Sequence, residues 1–147
     1  MVTIQQNEGL VASASITINA PIFRVWDALT NPQAIKVYMF GTNVMSDWEK
    51  GGEIVWRGQW QSKTYEDKGT ILEMEKERLL QYSHYSPLSG LPDEPENYHL
   101  VTIRLSDQGT QTGVHLTQDN NANEKARQHA EKNWIKMLQG LKRLLEA

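Results

Sequence analysis

At 147 residues the chain has the length of a single domain, and a domain of this size buries about two-thirds of the surface of its unfolded chain. The sequence contains no cysteine, which excludes disulfides, thiolate zinc sites and a cysteine nucleophile, and suits a reducing compartment such as the cytoplasm. The 15 Lys and Arg residues are dispersed and oppose 18 Asp and Glu residues, which argues against nucleic acid as a partner.

Residues 1–9 are polar and carry no pattern, so we expect a short tail or the frayed start of a strand there. They lack the basic segment followed by an apolar run that marks a signal peptide. No apolar stretch of the sequence approaches the ~20 residues of a membrane span. These observations predict a soluble, cytoplasmic protein that forms one domain over residues 1–147.

The first regular element is predicted to be a strand from about Leu10 to Ile18, because apolar and polar residues alternate there with a period of two. Pro21 then fits the first turn of a helix, where a missing N–H costs nothing. The residues after it place an apolar stripe at i, i+3, i+4 and i+7, made of Ile22, Val25, Trp26 and Leu29. This pattern predicts a short amphipathic helix after the strand.

A second short helix and six further strands are predicted next. Asn31 followed by Pro32 repeats the helix start signal, for a helix that ends near Tyr38. Strand-like runs separated by turn residues then cover residues 43–48, 53–60, 65–74, 79–85, 98–105 and 112–118. Their short connections favour antiparallel pairing over a parallel sheet with crossover helices.

The segment from Ser86 to Glu96 interrupts this series of strands. It holds three of the five prolines of the chain, and proline keeps such a stretch out of a sheet. Long loops in compact domains often have a function. The segment is therefore either an ordinary connection or a lid over the mouth of a pocket.

The clearest pattern in the chain predicts a long C-terminal helix over roughly residues 122–145. Asn121 and Glu124 have the spacing of a capping box. One apolar face then continues for over six turns, and a helix of this span is about 36 Å long. That face consists of Ala126, Ala130, Trp134, Met137, Leu138, Leu141, Leu144 and Leu145. We expect Trp134, Met137, Leu138 and Leu141 to be buried against the concave side of the sheet.

This order of elements resembles the helix-grip arrangement, and several motifs resemble one family. Residues 18–21 (INAP) and 25–30 (VWDALT) are similar to the opening signature of activator of Hsp-90 ATPase homologue-like domains, in the START/polyketide-cyclase (SRPBCC, Bet v 1-like) superfamily. Further matches are Gly51-Gly52 before a strand, residues 69–73 (GTILE), residues 112–117 (TGVHLT), and Trp134 with Leu138 and Leu141. The resemblance extends from about Leu10 to Ala147.

The resemblance implies an α+β helix-grip fold, in which a curved antiparallel sheet of about six to seven strands packs against two short helices and a long C-terminal helix. The superfamily includes lipid carriers, hormone receptors and cyclases, so the fold alone does not define a ligand. The eukaryotic co-chaperones carry a second, N-terminal domain that supplies much of the chaperone contact. A chain of 147 residues has no room for it, which weakens a chaperone-activating role.

Four histidines raise the question of a metal or catalytic site: His84, His99, His115 and His129. The last two strands are predicted to form a hairpin around residues 107–109. A turn centred between Gln108 and Gly109 places His115 opposite Thr102 and away from His99. No H-x-H or HExxH spacing occurs, so we expect no metal and no cofactor.

Aromatic residues in the strands suggest a cavity instead. The chain has five Trp and five Tyr, and such side chains bury large areas while they keep an N–H or O–H group for orientation. An apolar lining with a few polar groups is typical of small-molecule sites. Core packing is the simpler explanation for Trp26 and Trp134, although Trp134 is kept among the candidates. The candidate cavity residues are Trp56, Tyr82, His84, Tyr98, Trp134, Met137 and Leu141, and Met137 is expected to contact the ligand because its side chain is adaptable.

We therefore predict that the chain binds an apolar or aromatic small molecule, lipid-like or polyketide-like, between the sheet and the C-terminal helix. One alternative is a protein–protein adaptor related to the Hsp-90 ATPase activators, with a chaperone or a second copy of the chain as its partner. Another is a cyclase or hydratase that acts on a cavity-bound substrate, with His84 or Tyr82 as the acid or base. No catalytic motif is present, and this favours binding over catalysis.

Overall fold

The computed structural model describes residues 10–147, so the expectation for residues 1–9 lies outside the described part of the chain. Its strands are β1 (Ala12–Ile18), β2 (Asn43–Ser46), β3 (Glu53–Trp60), β4 (Lys63–Glu75), β5 (Leu79–His84), β6 (His99–Gln108) and β7 (Gln111–Gln118). Its helices are α1 (Ile22–Thr30), α2 (Pro32–Tyr38) and α3 (Glu124–Glu146), with single 3-10 turns at Pro87–Ser89 and Pro95–Asn97.

The strands form one antiparallel sheet in the order β1-β7-β6-β5-β4-β3-β2. Strand β1 pairs with β7, and every other pair joins strands that are neighbours in sequence. The alternating pattern of β1 buries Ala12, Ala14 and Ile18 and exposes Ser13 and Ser15, as expected for a strand with one face on the core. The predicted α+β helix-grip fold, with a curved sheet and a long C-terminal helix, is confirmed.

Helix α3 lies against the sheet through the second half of its apolar face. Met137, Leu138 and Leu141 are buried, as predicted. Trp134 remains partly exposed, contrary to the expectation of full burial, because the first half of the helix borders an open cleft. The core is one cluster formed by α1, α2, α3 and the inner face of the sheet.

The start of α3 differs from the prediction. The cap is Asn123, whose side-chain oxygen accepts a hydrogen bond from the N–H of Ala126 at 2.8 Å. Asn121 is buried two residues earlier and donates through Nδ2 to the carbonyl oxygen of Leu10 at 2.8 Å. Asn121 and Glu124 therefore do not form a capping box, because the amide of Asn121 ties the chain to the start of β1.

The hairpin of β6 and β7 also has a different register from the predicted one. Gln108 pairs with Gln111, so the turn centres one residue later, between Gly109 and Thr110. The carboxylate of Asp107 accepts from the N–H of Gly109 at 2.9 Å and stabilises this turn. His115 consequently lies opposite Arg104 and not opposite Thr102.

No helix within residues 10–147 combines the length and the apolar composition needed to cross a bilayer.

Candidate functional site

A cleft of about 830 Å³ opens between the first half of α3 and the end of the sheet where β5 stops and β6 begins. Trp134 and Met137 of α3 line one side, and His84 and His99 line the other. Three other depressions, of about 580, 650 and 710 Å³, are shallower and lie elsewhere on the surface, for example along the outer face around His115.

Apolar atoms form most of the lining surface of the cleft, and several apolar side chains contribute to it. They come from the end of α2, from the proline-rich segment and from the inner face of α3: Met39, Phe40, Leu91, Ala126, Ala130, Trp134 and Met137. Phe40 and Leu91 are strongly exposed at the rim. Burial of such exposed apolar surface by a ligand is favourable at about 25 cal/mol per Å².

The proline-rich segment forms one wall of the cleft through Ser86, Ser89, Leu91, Glu96 and Asn97. Side-chain contacts hold it to the rest of the domain. The hydroxyl of Tyr85 donates to the Leu91 carbonyl at 2.5 Å, and Asn120 Nδ2 donates to the Glu96 carbonyl at 2.8 Å. Asp93 accepts a hydrogen bond from the Tyr98 hydroxyl at 2.6 Å and forms an ion pair with Lys68. The sequence left two roles open for the segment, an ordinary connection or a lid. Its position at the wall of the cleft suits a lid.

The inner end of the cleft is polar. His84 and His99 face each other across β5 and β6, and their ring centres are 6.3 Å apart. Nε2 of His84 lies 2.9 Å from Oδ2 of Asp67 on β4. The edge of the His84 ring also contacts Trp56, at 5.0 Å between ring centres. These contacts hold the His84 ring in one orientation at the cleft wall.

His99 belongs to a second polar network that reaches α3. Its Nδ1 lies 2.9 Å from the carbonyl oxygen of Asp119. Gln118 accepts a hydrogen bond from Nε1 of Trp134 at 2.7 Å and donates to the side-chain oxygen of Asn121 at 3.2 Å. Burial lowers the pKa of His99, and the nearby His84 lowers it further, whereas the Asp119 carbonyl raises it. The neutral imidazole is therefore favoured.

A separate small void of about 20 Å³ lies beneath the cleft, between α1, α2, α3 and the sheet. Trp56 and Tyr82 line it, with their ring centres 5.0 Å apart. This volume holds about one water molecule and no ligand. Burial raises the pKa of Tyr82 far above its usual value, so its phenol stays protonated and is a poor base.

The candidate cavity residues therefore fall into three groups. His84, Trp134 and Met137 line the cleft. Trp56 and Tyr82 line the small void, which Met137 also borders. Leu141 is fully buried in the core, and Tyr98 stacks on Tyr85 at the base of the proline-rich segment, with 5.3 Å between ring centres.

Four residues of the site were not predicted from the sequence to lie together: Asp67, His99, Gln118 and Asn121. The pairing of His84 with His99 follows a long connection between β5 and β6, and no short-turn rule defines the register of such a pair. The one sequence feature that could have indicated this pairing is the presence of a histidine on each of two adjacent predicted strands. Within residues 10–147, no cluster of three or more His, Cys, Asp or Glu side chains could hold a metal ion.

A curved antiparallel sheet closed by a C-terminal helix, with a cleft between them, defines the helix-grip class of domains. The model of one family in this class, Activator of Hsp90 ATPase homolog 1-like protein, matches residues 19–146. The chain belongs to this family. The comparison with curated proteins returned no match.

Among solved structures, the chain is similar to ChR145 from Cytophaga hutchinsonii, with 57% identity over 95% of each chain and a TM-score of 0.83. The Aha1 dimer from Colwellia psychrerythraea is 18% identical, with 92% of this chain and 96% of that chain covered and a TM-score of 0.71. DynU16, a protein of the dynemicin biosynthetic locus, is 15% identical, with 94% of this chain and 48% of that chain covered and a TM-score of 0.76. At such low identity the last two similarities show the fold alone.

Proposed function

We propose that this protein binds an apolar or aromatic small molecule in the cleft between α3 and the sheet. The observation that carries the proposal is the cleft itself, whose volume of about 830 Å³ falls within the roughly 300–1,000 Å³ of small-molecule sites. Its apolar body and polar inner end match the usual division of such sites, in which apolar surface supplies affinity and a few polar groups supply orientation. The location of DynU16 in a biosynthetic locus is compatible with a ligand of this kind.

Native mass spectrometry of freshly purified protein tests the proposal directly, because a tightly held ligand adds a discrete mass. A neutral apolar fluorophore, N-phenyl-1-naphthylamine, serves as the probe where no ligand is retained. We expect saturable binding of this probe with a rise in its fluorescence. The proposal would be contradicted if the protein carried no added mass and also showed no saturable binding of the probe.

A matched pair of variants locates the binding. Ala130 lines the cleft, whereas Gln128 lies on the exposed face of the same helix. Ala130→Trp fills the cleft and is expected to abolish probe binding, while Gln128→Trp adds the same ring outside the cleft and preserves it. Equal binding by both variants would place the probe elsewhere.

The second candidate is an adaptor that binds a chaperone through the outer surface of the short helices. Two observations favour it: the family match, and the exposure of Phe23 at 60% and Val37 at 61% on α1 and α2. Capture of an Hsp90-type chaperone from native cytosol, with loss of capture in Phe23→Ser, would support the adaptor. Capture unaffected by this substitution, or no capture, would count against it.

A further inference from the structure

We infer that the inner end of the cleft recognises a hydroxyl group on the apolar ligand, which donates its proton to Nδ1 of His84, with Asp67 as the positioning residue behind His84. This inference rests on the proposed function, because the body of the ligand has to occupy the cleft. It adds the chemical class of the ligand, an aromatic or aliphatic alcohol.

The tautomer of His84 follows from its partner. A carboxylate oxygen only accepts hydrogen bonds, so the 2.9 Å contact with Oδ2 of Asp67 requires the proton on Nε2 of His84. When the imidazole is neutral, Nδ1 then carries a lone pair. Within residues 10–147 this Nδ1 has no hydrogen-bond partner, and His84 lines the cleft. His84 therefore offers an acceptor to whatever occupies the inner end.

Asp67 has few other contacts that explain its position. Its side chain is 15% exposed, and its second oxygen, Oδ1, is buried with no hydrogen-bond partner in the described structure. Burial of a carboxylate oxygen without a partner is unfavourable. Its single side-chain bond goes to His84, so the residue fixes the tautomer of that imidazole, as carboxylates behind functional histidines do.

The tautomer of His99 is fixed in the same way. The carbonyl of Asp119 only accepts, so the 2.9 Å contact places the proton on Nδ1 and leaves the lone pair on Nε2. Nε2 of Gln118 is also 3.4 Å from this Nδ1. The bond from Trp134 to the amide oxygen of Gln118 makes that Nε2 a donor, which cannot bond an N–H. The Asp119 carbonyl is therefore the true partner.

The lone pair on His84 selects the ligand group that meets it, and His99 presents a second lone pair and no free N–H beside it. An ether, a ketone or a carboxylate would bring lone pairs against lone pairs, whereas a hydroxyl donates its proton. The charged residues that line the cleft, Glu96 and Lys136, are exposed and so do not place a fixed cation beside the histidines. The chemistry of the inner end therefore fits a neutral hydroxyl donor better than an acid.

Two probes of nearly equal shape isolate this preference: 2-naphthol, which has an O–H donor, and 2-methoxynaphthalene, which has none. Their affinities for the full chain are measured by fluorescence titration at one fixed pH above the ordinary imidazole pKa of about 6.5. Wild-type protein is expected to bind 2-naphthol about tenfold more tightly, the effect of one good hydrogen bond to an otherwise unpaired acceptor.

Substitutions test whether His84 and Asp67 cause the preference for 2-naphthol. His84→Phe keeps a ring but removes the acceptor, so the ratio of the two affinities is expected to fall severalfold while 2-methoxynaphthalene still binds. His115→Phe is the matched control, since His115 lies on the outer face of the sheet and bonds Ser15. In Asp67→Asn the amide can either donate to Nε2 of His84 or accept from it, so the tautomer of His84 is no longer fixed. The ratio of the two affinities is therefore expected to fall in this variant as well. Asp67→Asn thus tests the assignment even if His84→Phe does not fold.

The outcomes separate the two proposals. Equal binding of both probes by wild-type protein would overturn the hydroxyl site and leave the proposed function intact. Binding of neither probe would overturn both. An affinity ratio that survives both His84→Phe and Asp67→Asn would also overturn the assignment, because the preference would then come from other residues.

Discussion

At the scale of single residues, the position of Asp67 beside His84 depends on a close approach between β4 and β5. Lys68 forms a bridge with Tyr85 there, outside the regular pairing of the two strands. A side chain at Gly69 would overlap the carbonyl oxygen of Ser83, the residue before His84. Glycine at this position therefore lets the two strands come close enough for the carboxylate to reach the imidazole.

Gly69→Ala is expected to destabilise the fold by about 1–3 kcal/mol, the usual cost of overpacking, and to weaken the Asp67–His84 contact. Gly140→Ala is the control, because a methyl group there meets Tyr38 only at 3.4 Å, an ordinary van der Waals contact, and alanine favours the helix. Urea melts of both variants provide the measurement. A loss of stability in Gly140→Ala as large as in Gly69→Ala would contradict the steric explanation.

His99 is expected to make the folding stability depend on pH. Burial lowers the pKa of His99 in the folded protein, below the value of about 6.5 expected in the unfolded chain. Between these two values the unfolded state binds more protons, so folding stability falls as pH decreases and is fully present above about pH 6.5. In His99→Asn this part of the slope is expected to disappear. Urea melts at pH 5 to 8 test it, and an unchanged slope in the variant would contradict the assignment.

At the scale of elements, the positions of helices and strands could be predicted from the sequence, because they depend on the periodic burial of apolar residues. Helices α1 and α2 and the seven strands lie close to their predicted positions, because periods of 3.6 and two reflect which face meets the core. The turn of the β6–β7 hairpin and the cap of α3 were misplaced by one and two residues respectively. At both points several polar residues compete for the same role, and only tertiary contacts, such as that of Asn121 with Leu10, decide between them.

The site was less predictable than the fold, for a related reason. His84 and His99 come together through a register that the long connection between β5 and β6 does not encode locally. Asp67 joins them only because of the irregular pairing near Gly69. By contrast, Trp134 and Met137 could be placed on the inner face of α3 from spacing alone.

Helix α3 changes its environment along its length, and two substitutions on one face measure this. Leu141 is 0% exposed in the core, whereas Met137 is 5% exposed and borders both the cleft and the small void. Leu141→Ala is expected to cost about 2–5 kcal/mol of folding stability. Met137→Ala should cost less, because the space that it vacates joins space that is already open. Equal losses in urea melts would indicate a solid core at Met137.

At the scale of the whole molecule, the cleft lies between its two layers, so a bound ligand contacts both the sheet and α3. A ligand that binds only the folded state at about 100 times its Kd adds about 2.7 kcal/mol of stability, which for a domain of this length raises Tm by about 5–10 °C. We expect this rise with N-phenyl-1-naphthylamine, and a matching fall in Tm when any co-purified ligand is removed. Differential scanning calorimetry of wild-type protein and of Ala130→Trp provides the comparison. The variant with the filled cleft should melt at the same temperature with and without the probe. A rise of equal size in both proteins would mean that the probe stabilises the fold from another surface. The cleft between α3 and the sheet would then not be the binding site of the probe.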